Sequence, residues 1–286
     1  MAAENKAAMN WEAAVTWLID QPDKQDVVRA GYYDSPLISA ANRYWQSGEW
    51  KAARSYLPAV PGLALDIGAG RGIASYALAK DGWQVKALEP DPSNLVGVGA
   101  IKSLAQSENL PISVVQEFGE KLPFPDGHFD LVLARQVLHH AYDLGQLCKE
   151  VSRVLKPGGR FIAMRDHVLF RKADLGKFLN SHPLHYLYGG ENAYLLREYV
   201  AALDSAPLEV EHVLRSFETP IHYDDGSFDA IGNKLKSRMD KTVVLRPISS
   251  FLVSDKILPR VLRRLGKFDI RPGSAASFIC RKKSSV

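Results

Sequence analysis

The chain has 286 residues, 46% hydrophobic and 24% charged, which is the composition of an ordinary soluble globular protein. A formal net charge of +4 is too small by itself to indicate nucleic acid, and no apolar run is long enough for a membrane span. The N-terminus lacks the pattern of a signal peptide, and Cys148 and Cys280 fit no metal-ligand spacing. We therefore expect a cytoplasmic protein without a metal site.

Residues 1–57 are predicted to form a helical cap. The segment WEAAVTWLI has apolar residues at helical spacing, and PLISAANRYWQSGEWKAARSYL is a longer amphipathic run. The sequence PAVPG, residues 58–62, ends this region because it combines two prolines with a glycine.

In residues 58–217, strand patterns and helix patterns alternate. The predicted strands are LALDIG, WQVKALEP, ISVVQEF, FDLVLARQ, RFIAMRD and LEVEHVLRSF. The predicted helices are IASYALAKDG, residues 93–107, LGQLCKEVSRVL and YLLREYVAALDSA. Strands joined by helices of this length pair in parallel through right-handed crossovers. With SAASFICRK as the last strand, in residues 273–286, the sequence predicts an α/β fold with a doubly wound, mostly parallel, seven-stranded Rossmann-like sheet.

A basic insertion, residues 218–272, is predicted between the last two strands, and a connection this long should carry structure or function of its own. Residues 231–272 contain eleven lysines and arginines but three aspartates. Within it, residues 256–267 place apolar side chains on one helical face, namely Ile257, Leu258, Val261, Leu262 and Leu265. Such a helix could lie on an anionic membrane, bind an anionic acceptor, or pack on the sheet with a solvated basic face.

The stretch LALDIGAGRG follows the first predicted strand with three glycines, Gly68, Gly70 and Gly72. Ile73 occupies the place where a dinucleotide fingerprint needs its third glycine, and no Gly-Lys-Ser/Thr follows as in a P-loop. The loop brings backbone close to a ligand, but the pattern for a pyrophosphate is absent.

Two carboxylates sharpen this interpretation. Asp66 ends the first strand, where it would repel a pyrophosphate and attract an ammonium group. Glu89 ends the second strand, where a carboxylate can accept two hydrogen bonds from a ribose diol. The structural alternatives are a helix cap for Asp66 and an exposed strand end for Glu89. An ammonium and a ribose without a phosphate describe S-adenosylmethionine (SAM).

Four pieces in order carry a family resemblance: LDIGAGRG, ALEPDPS, EKLPFPDGHFDLVLARQVLHH and EVSRVLKPGGRF. Between Leu63 and His167 the chain resembles the class I SAM-dependent methyltransferases, in the group that includes ubiquinone/menaquinone-type enzymes (methyltransferase type 11). The resemblance implies a methyltransferase with SAM as its cofactor. The expected cofactor contacts are Asp66, Gly68, Ala69, Gly70, Gly72, Glu89, Pro90, Phe118, Gly119, Glu120, Arg135 and Tyr33.

The sequence departs from the family at the adenine. The third strand in the family usually ends in an aspartate that accepts a hydrogen bond from the adenine amino group, whereas Phe118 stands there in this chain. We expect Phe118 to pack on the adenine and the backbone around Gly119 and Glu120 to bind it, with Glu117 as the alternative.

Candidate acceptor-side residues follow the fourth and fifth strands. Arg135 and Gln136 replace the Asn/Asp-Pro-Pro-aromatic motif of enzymes that methylate DNA amino groups, and neither cysteine is placed for carbon-5 methylation. His167, Asp166 and His140 are the candidate acid/base residues, with a structural polar cluster as the alternative. The predicted substrate contacts are Arg165, His139, His182, His185 and Tyr188; the last three lie in SHPLHYLYGGEN, which we expect to form a loop over the site.

The sequence thus favours a methyltransferase acting on oxygen, nitrogen or carbon of a small-molecule or lipid- or sugar-linked acceptor. That acceptor could be anionic or membrane-linked, with peripheral contact through residues 256–267, and nucleic acid is not the expected partner. One alternative is an RNA or protein methyltransferase that uses the basic insertion to reach a polyanion. The other is a non-catalytic module that binds SAM.

Overall fold

A computed structural model describes residues 9–223, 227–242, 245–254 and 257–284. The helices are α1 (Trp11–Ile19), α2 (Gln25–Ala30), α3 (Leu37–Gln46), α4 (Gly48–Arg54), α5 (Ile73–Lys80), α6 (Val98–Ser107), α7 (Leu144–Val154), α8 (Leu175–Ser181), α9 (His185–Tyr188), α10 (Leu196–Ser205), α11 (Ser227–Asp240), α12 (Arg246–Leu252) and α13 (Leu258–Gly266). The strands are β1 (Leu63–Ile67), β2 (Gln84–Leu88), β3 (Ile112–Val115), β4 (Phe129–Arg135), β5 (Leu155–Leu169), β6 (Tyr194–Leu195), β7 (Leu208–Arg215) and β8 (Ser274–Lys282).

The sheet has the strand order β3-β2-β1-β4-β5-β8-β7. Neighbours from β3 to β5 pair in parallel, while β8 lies antiparallel to both β5 and β7. The predicted mostly parallel, doubly wound sheet is therefore confirmed. The short strand β6, which the sequence did not predict, pairs with the end of β5.

Helices cover both faces of the sheet because the central strands are apolar on both sides. On one face, Leu147 of α7 and Tyr199 of α10 are buried against β4 and β5. On the other face, Tyr44, Trp50 and Tyr76 come from α3, α4 and α5. Burying each large side chain stabilises the fold by roughly 1.5–3 kcal/mol. The helices and the sheet form a three-layer core. Because the strands from β3 to β5 are parallel, their carboxyl ends meet at one edge of this core.

The long amphipathic run of the cap is two helices rather than one. α3 ends at Gln46, and the Ser47 hydroxyl accepts a hydrogen bond from the Trp50 backbone at 3.0 Å, which begins α4. The helix expected from residue 93 also begins later, at Val98. The reason is a loop in which the Asp91 carboxylate accepts from Ser93 N at 2.8 Å and the Asp91 carbonyl accepts from Val98 N at 2.8 Å.

Strand β5 is longer than predicted and contains a bulge near the carboxyl ends of its neighbours. Its register with β8 shifts between Ala163 and Asp166, and Arg165 has a positive φ of 61°. A bulge bends a strand and re-aims its side chains. At this bulge the side chain of Asp166 is buried, whereas those of Arg165 and His167 on either side are half-buried.

The basic insertion contains α11, α12 and α13 in its described residues. Leu258 and Leu262 of α13 are buried with Tyr223 and pack near Ile231 and Val253. Its apolar face is therefore used within the chain, as the packed-helix alternative expected, and Arg260, Arg263 and Arg264 are exposed. Lys256 and the side chain of Leu265 lie outside the described residues. The boundaries of the four predicted segments stay a prediction.

Across the described ranges, no helix combines the length and the apolar character that crossing a bilayer requires.

Candidate functional site

A cavity of about 730 Å³ opens at the carboxyl ends of the central parallel strands. Such a volume is typical of small-molecule sites, which occupy roughly 300–1,000 Å³. Its position follows from the topology, because strand order reverses between β1 and β4 and ligands bind at such a switch point. Trp11 and Tyr33 of the cap and the segment from His182 to Glu191 complete the walls.

The glycine loop forms one wall of this cavity. Gly68 has φ +61°, and a Cβ there would lie 2.7 Å from Val137 Cγ2, so a side chain would have to displace its neighbour. Gly68, Ala69 and Gly70 line the cavity, and their predicted contact with the cofactor stays a prediction. Gly72 does not line the cavity; it precedes α5, and a Cβ on it would lie 3.2 Å from Ile101. Gly72, which was predicted to contact the cofactor, therefore packs beside Ile101 and does not lie on the cavity wall.

Asp66 lines the cavity with almost no exposure of its own, 1%. Its carboxylate accepts a hydrogen bond from the Ser75 hydroxyl at 2.6 Å. Burial raises the pKa of Asp66 to about 7, although the Ser75 bond acts in the opposite direction. Asp66 has no ion-pair partner among the described residues. A cation placed beside its carboxylate would therefore stabilise the charged form.

Glu89 is oriented by backbone donors on both of its oxygens. Oε2 accepts from Gly70 N at 2.7 Å, and Oε1 accepts from Asp91 N at 2.9 Å. Burial raises the pKa of Glu89 although these two bonds oppose it. Each carboxylate oxygen can accept a second hydrogen bond, so the group is held ready for a diol.

The expected adenine wall consists of Pro90, Phe118, Gly119 and Glu120, which all line the cavity with Glu117. The Phe118 ring is 66% exposed, so its face is available for stacking. A Cβ on Gly119 would lie 2.8 Å from Leu147 Cδ1, which explains a glycine there. Glu120 Oε1 already accepts a hydrogen bond from Tyr142 N at 2.9 Å. The contact between Phe118 and adenine stays a prediction.

Two arginines on the cavity wall share a partner that the sequence analysis missed. Glu49 of α4 is 2% exposed and contacts Arg135 at 2.6 Å and Arg165 at 3.2 Å. Burial alone would raise the pKa of Glu49, but Arg135 and Arg165 hold this pKa below its ordinary value. Arg135 and Arg165 were predicted to contact ligands. Through Glu49, the same two side chains also anchor the cap to β4 and β5.

Tyr33 of the cap, predicted as a cofactor contact, lines the cavity. Its ring packs edge-on against Trp11 with centroids 6.1 Å apart, and burial raises its pKa to about 12. Trp11 in turn packs against Tyr188 at 4.7 Å. The cap and the segment of residues 182–191 therefore contact each other above the strand ends.

The candidate acid/base residues lie in different environments. His139 Nδ1 is 2.9 Å from Asp166 Oδ1, and Asp166 is fully buried behind His139 without lining the cavity. His167 lines the cavity while its Nδ1 is 3.2 Å from the Gly273 carbonyl, and burial lowers its pKa to about 4. His140 lines the cavity, with Nδ1 3.0 Å from the Gly190 carbonyl. Asp166 is thus placed to orient His139 rather than to reach a ligand.

The predicted loop over the site includes a short helix, α9. His182 and Tyr188 line the cavity, whereas His185 does not. His182 and Tyr188 both contact Glu191. The Tyr188 hydroxyl donates a hydrogen bond to Glu191 Oε1, and His182 Nε2 lies 3.6 Å from the same oxygen. Glu191 was not predicted, although it is the one acidic residue in SHPLHYLYGGEN, a signal that could have indicated a carboxylate among the histidines.

A family match covers the strands and loops that build this cavity. Residues 65–163 match the family model described as a methyltransferase domain. Over these residues, which are less than half of the chain, the sequence is therefore similar to a methyltransferase domain. The match includes Asp66, the glycine loop, Glu89 and His139, and it excludes both the cap and the basic insertion.

Curated relatives match over the same core. The uncharacterized methyltransferase YcgJ of Bacillus subtilis (strain 168) is 35% identical over 124 residues, which are 41% of this chain and 45% of that protein. The ubiquinone/menaquinone biosynthesis C-methyltransferase UbiE of Laribacter hongkongensis (strain HLHK9) is 37% identical over 112 residues, 36% of this chain and 43% of that protein. The chain thus covers less than half the length of these relatives.

A solved structure extends the likeness of the fold beyond the methyltransferase domain. The geranyl diphosphate C-methyltransferase of Streptomyces coelicolor A3(2), in complex with Mg²⁺, a substrate analogue and S-adenosyl-L-homocysteine, superposes with a TM-score of 0.55. It is 16% identical and covers 80% of this chain and 73% of that one. At this identity the superposition shows a common fold, whose central part includes the residues that match the family model.

Proposed function

We propose that the protein transfers a methyl group from SAM to a small-molecule acceptor. The observation that carries this proposal is the pair of carboxylates in one cavity, Asp66 and Glu89, fixed around the glycine loop. Asp66 would pair with the α-ammonium of the methionine part, and Glu89 would accept hydrogen bonds from the ribose hydroxyls. The loop has Ile73 where a dinucleotide fingerprint needs its third glycine, which favours SAM over a dinucleotide.

The acceptor occupies the other half of the cavity in this proposal. His139, His140 and His167 line that half at the ends of β4 and β5. The nucleophile of the acceptor attacks the methyl carbon, the bond from carbon to sulfur breaks, and the sulfur keeps the electron pair as S-adenosylhomocysteine forms. Positioning supplies much of the lowering of the barrier in such an in-line displacement. An acceptor that carries a proton would release it to the imidazole of His140.

A small acceptor is supported by the volume of the cavity, about 730 Å³, and by the relatives. The names of those relatives refer to ubiquinone, menaquinone and geranyl diphosphate as the compounds concerned. An RNA or protein acceptor remains the second candidate because Arg260, Arg263 and Arg264 are exposed on α13. RNA binding that weakens steeply with salt and is lost in Arg263→Glu would favour that candidate.

Calorimetry of the full chain with SAM tests the central proposal. We expect one site with micromolar affinity and a loss of about 30- to 100-fold in Glu89→Gln, because charge-assisted hydrogen bonds to the ribose are lost. The matched control is Glu108→Gln, a partly exposed carboxylate that does not line the cavity. Folded protein that does not bind SAM at high micromolar concentration would contradict the proposal. SAM binding without methyl transfer to any acceptor class would favour the non-catalytic alternative.

A further inference from the structure

Three potential metal ligands converge at the acceptor end of the cavity. His139 lies in the turn after β4, His167 lies near the end of β5, and Glu191 precedes β6. One ligand atom from each lies within 4.8 Å of the other two, and all three residues line the cavity. His139 Nε2 is 3.7 Å from Glu191 Oε2. From this arrangement we propose that His139, His167 and Glu191 bind a divalent transition-metal ion.

The two histidines are held in the orientation that a metal needs. Asp166 Oδ1 lies 2.9 Å from His139 Nδ1, and the Gly273 carbonyl lies 3.2 Å from His167 Nδ1. A carbonyl can only accept, so the Nδ1 of His167 carries the proton and its Nε2 keeps a free lone pair. Asp166 imposes the same tautomer on His139. Metal-ligating histidines ordinarily donate their second N–H to a carboxylate or a backbone carbonyl in this way.

Glu191 supplies an independent observation, a buried oxygen without a hydrogen bond. Its Oε1 accepts from Tyr188, whereas its Oε2 is buried and accepts no hydrogen bond from the described residues. Burying an ionised oxygen without a partner costs free energy that a cation would offset.

The neighbouring imidazoles do not satisfy this oxygen. His139 Nε2 lies 3.7 Å and His140 Nε2 lies 4.0 Å from Glu191 Oε2, and both distances are too long for a hydrogen bond. The carboxylate therefore faces the imidazoles across a gap instead of bonding to one of them.

Two imidazoles and one carboxylate favour a first-row transition ion such as Zn²⁺ or Fe²⁺ over Mg²⁺ or Ca²⁺, which prefer oxygen ligands alone. Bond lengths of about 2.0–2.2 Å place such ligand atoms roughly 3.3 Å apart. His139 Nε2 and Glu191 Oε2, now 3.7 Å apart, must therefore approach each other when the ion binds. Three protein ligands leave coordination positions open towards the cavity. The open positions would take an oxygen of the acceptor and orient it.

Sequence patterns predicted no metal site because these ligands are far apart in the chain. His139 and His167 follow different strands, and Glu191 lies in a third segment. Their spacing matches no short metal-binding motif. The site is a property of the folded strand ends.

The test uses the full chain, stripped with a chelator and titrated with Co²⁺ alone while visible absorption is recorded. We expect one equivalent to bind with the intense bands of a four- or five-coordinate ion, and Zn²⁺ to displace it. Zn²⁺ should also raise the midpoint of thermal unfolding, because it binds the folded state. Glu191→Gln and His167→Gln should each lower Co²⁺ affinity at least 100-fold, and Asp166→Asn about 10-fold as a positioning residue.

His212→Gln is the matched control, since it removes an exposed histidine from β7. Circular dichroism and SAM calorimetry show whether each variant is folded. The proposal is overturned if folded wild-type protein binds no Co²⁺ at micromolar concentrations, or if the ligand variants bind it like the control. Because the Co²⁺ readout does not require SAM, failure of the metal site and failure of the proposed function are separately visible.

Discussion

The cavity has two halves that are built in different ways: a cofactor half, where we propose that SAM binds beside Asp66 and Glu89, and an acceptor half around the histidines. The cofactor half is formed by loops between neighbouring parallel strands. Backbone N–H groups of Gly70 and Asp91 orient its key carboxylate, Glu89. The acceptor half is formed by side chains that other side chains and distant carbonyls orient, as Asp166 does for His139. A site built from backbone tolerates changes around it, whereas a site built from side chains depends on the packing of several elements.

The electrostatics of the two halves also differ, although burial acts on both. Burial disfavours the charged form of any group. It therefore raises the pKa of Asp66 and Glu89 in the cofactor half, and it lowers the pKa of His139 and His167 in the acceptor half. The first half has carboxylates that a cationic ligand would stabilise, and the second has neutral imidazoles with free lone pairs.

A large effect is expected where the cap joins both halves. Glu49→Gln would leave Arg135 and Arg165 without their shared carboxylate, and we expect a loss of about 3 kcal/mol in the free energy of unfolding in urea. Glu108→Gln is the control, because its pair with Lys80 at 3.5 Å is partly exposed and should contribute less than about 1 kcal/mol. Equal losses in the two variants would show that the cap is not anchored through Glu49.

An effect that depends on pH is expected in the cofactor half. The pKa of Asp66 rises from 3.8 to about 7 on folding, so the folded state retains a proton that the unfolded chain has lost. The stability that protonation contributes is present below pH 4 and is lost as the pH rises through 7. Asp66→Asn does not ionise, so it should match the wild type at pH 4 and exceed it at pH 8 by up to roughly 4 kcal/mol, the equivalent of the whole pKa shift.

Urea unfolding at several pH values measures this difference directly. The control is Asp126→Asn, which removes a carboxylate whose side chain is 79% exposed. Curves for Asp66→Asn and wild type that stay parallel from pH 4 to pH 8 would show that Asp66 is not buried as an acid. The same variant should weaken SAM binding, which links the stability measurement to the cofactor.

The smallest effect is expected at the edge of the cofactor half. Phe118→Ala should lower SAM affinity by about 3- to 10-fold, because stacking on an exposed ring contributes roughly 1 kcal/mol. Its Co²⁺ affinity should not change, which would separate the two halves experimentally. Phe268→Ala, which truncates a ring 81% exposed outside the cavity, is the control for calorimetry. Unchanged SAM affinity in Phe118→Ala would leave the backbone near Gly119 as the adenine contact.

The sequence by itself determined the sheet, and it placed the glycine loop and the two carboxylates to which we assign the cofactor. The interactions of these residues are local, since Asp66 and Ser75 are 9 residues apart and Gly70 and Glu89 are 19 apart. Even there, the place of Gly72 against Ile101 required the packing of α5 and α6. A short motif specifies contacts of this kind because the strand and loop that contain it fix the geometry.

Only the tertiary structure decided the acceptor half and the anchoring of the cap. Glu49 meets Arg135 across 86 residues and Arg165 across 116, and His167 meets the Gly273 carbonyl across 106. Glu191 joins His139 only because β6 pairs with the end of β5. No periodicity or spacing encodes such contacts, since they exist only after the strands have paired and their ends share one edge.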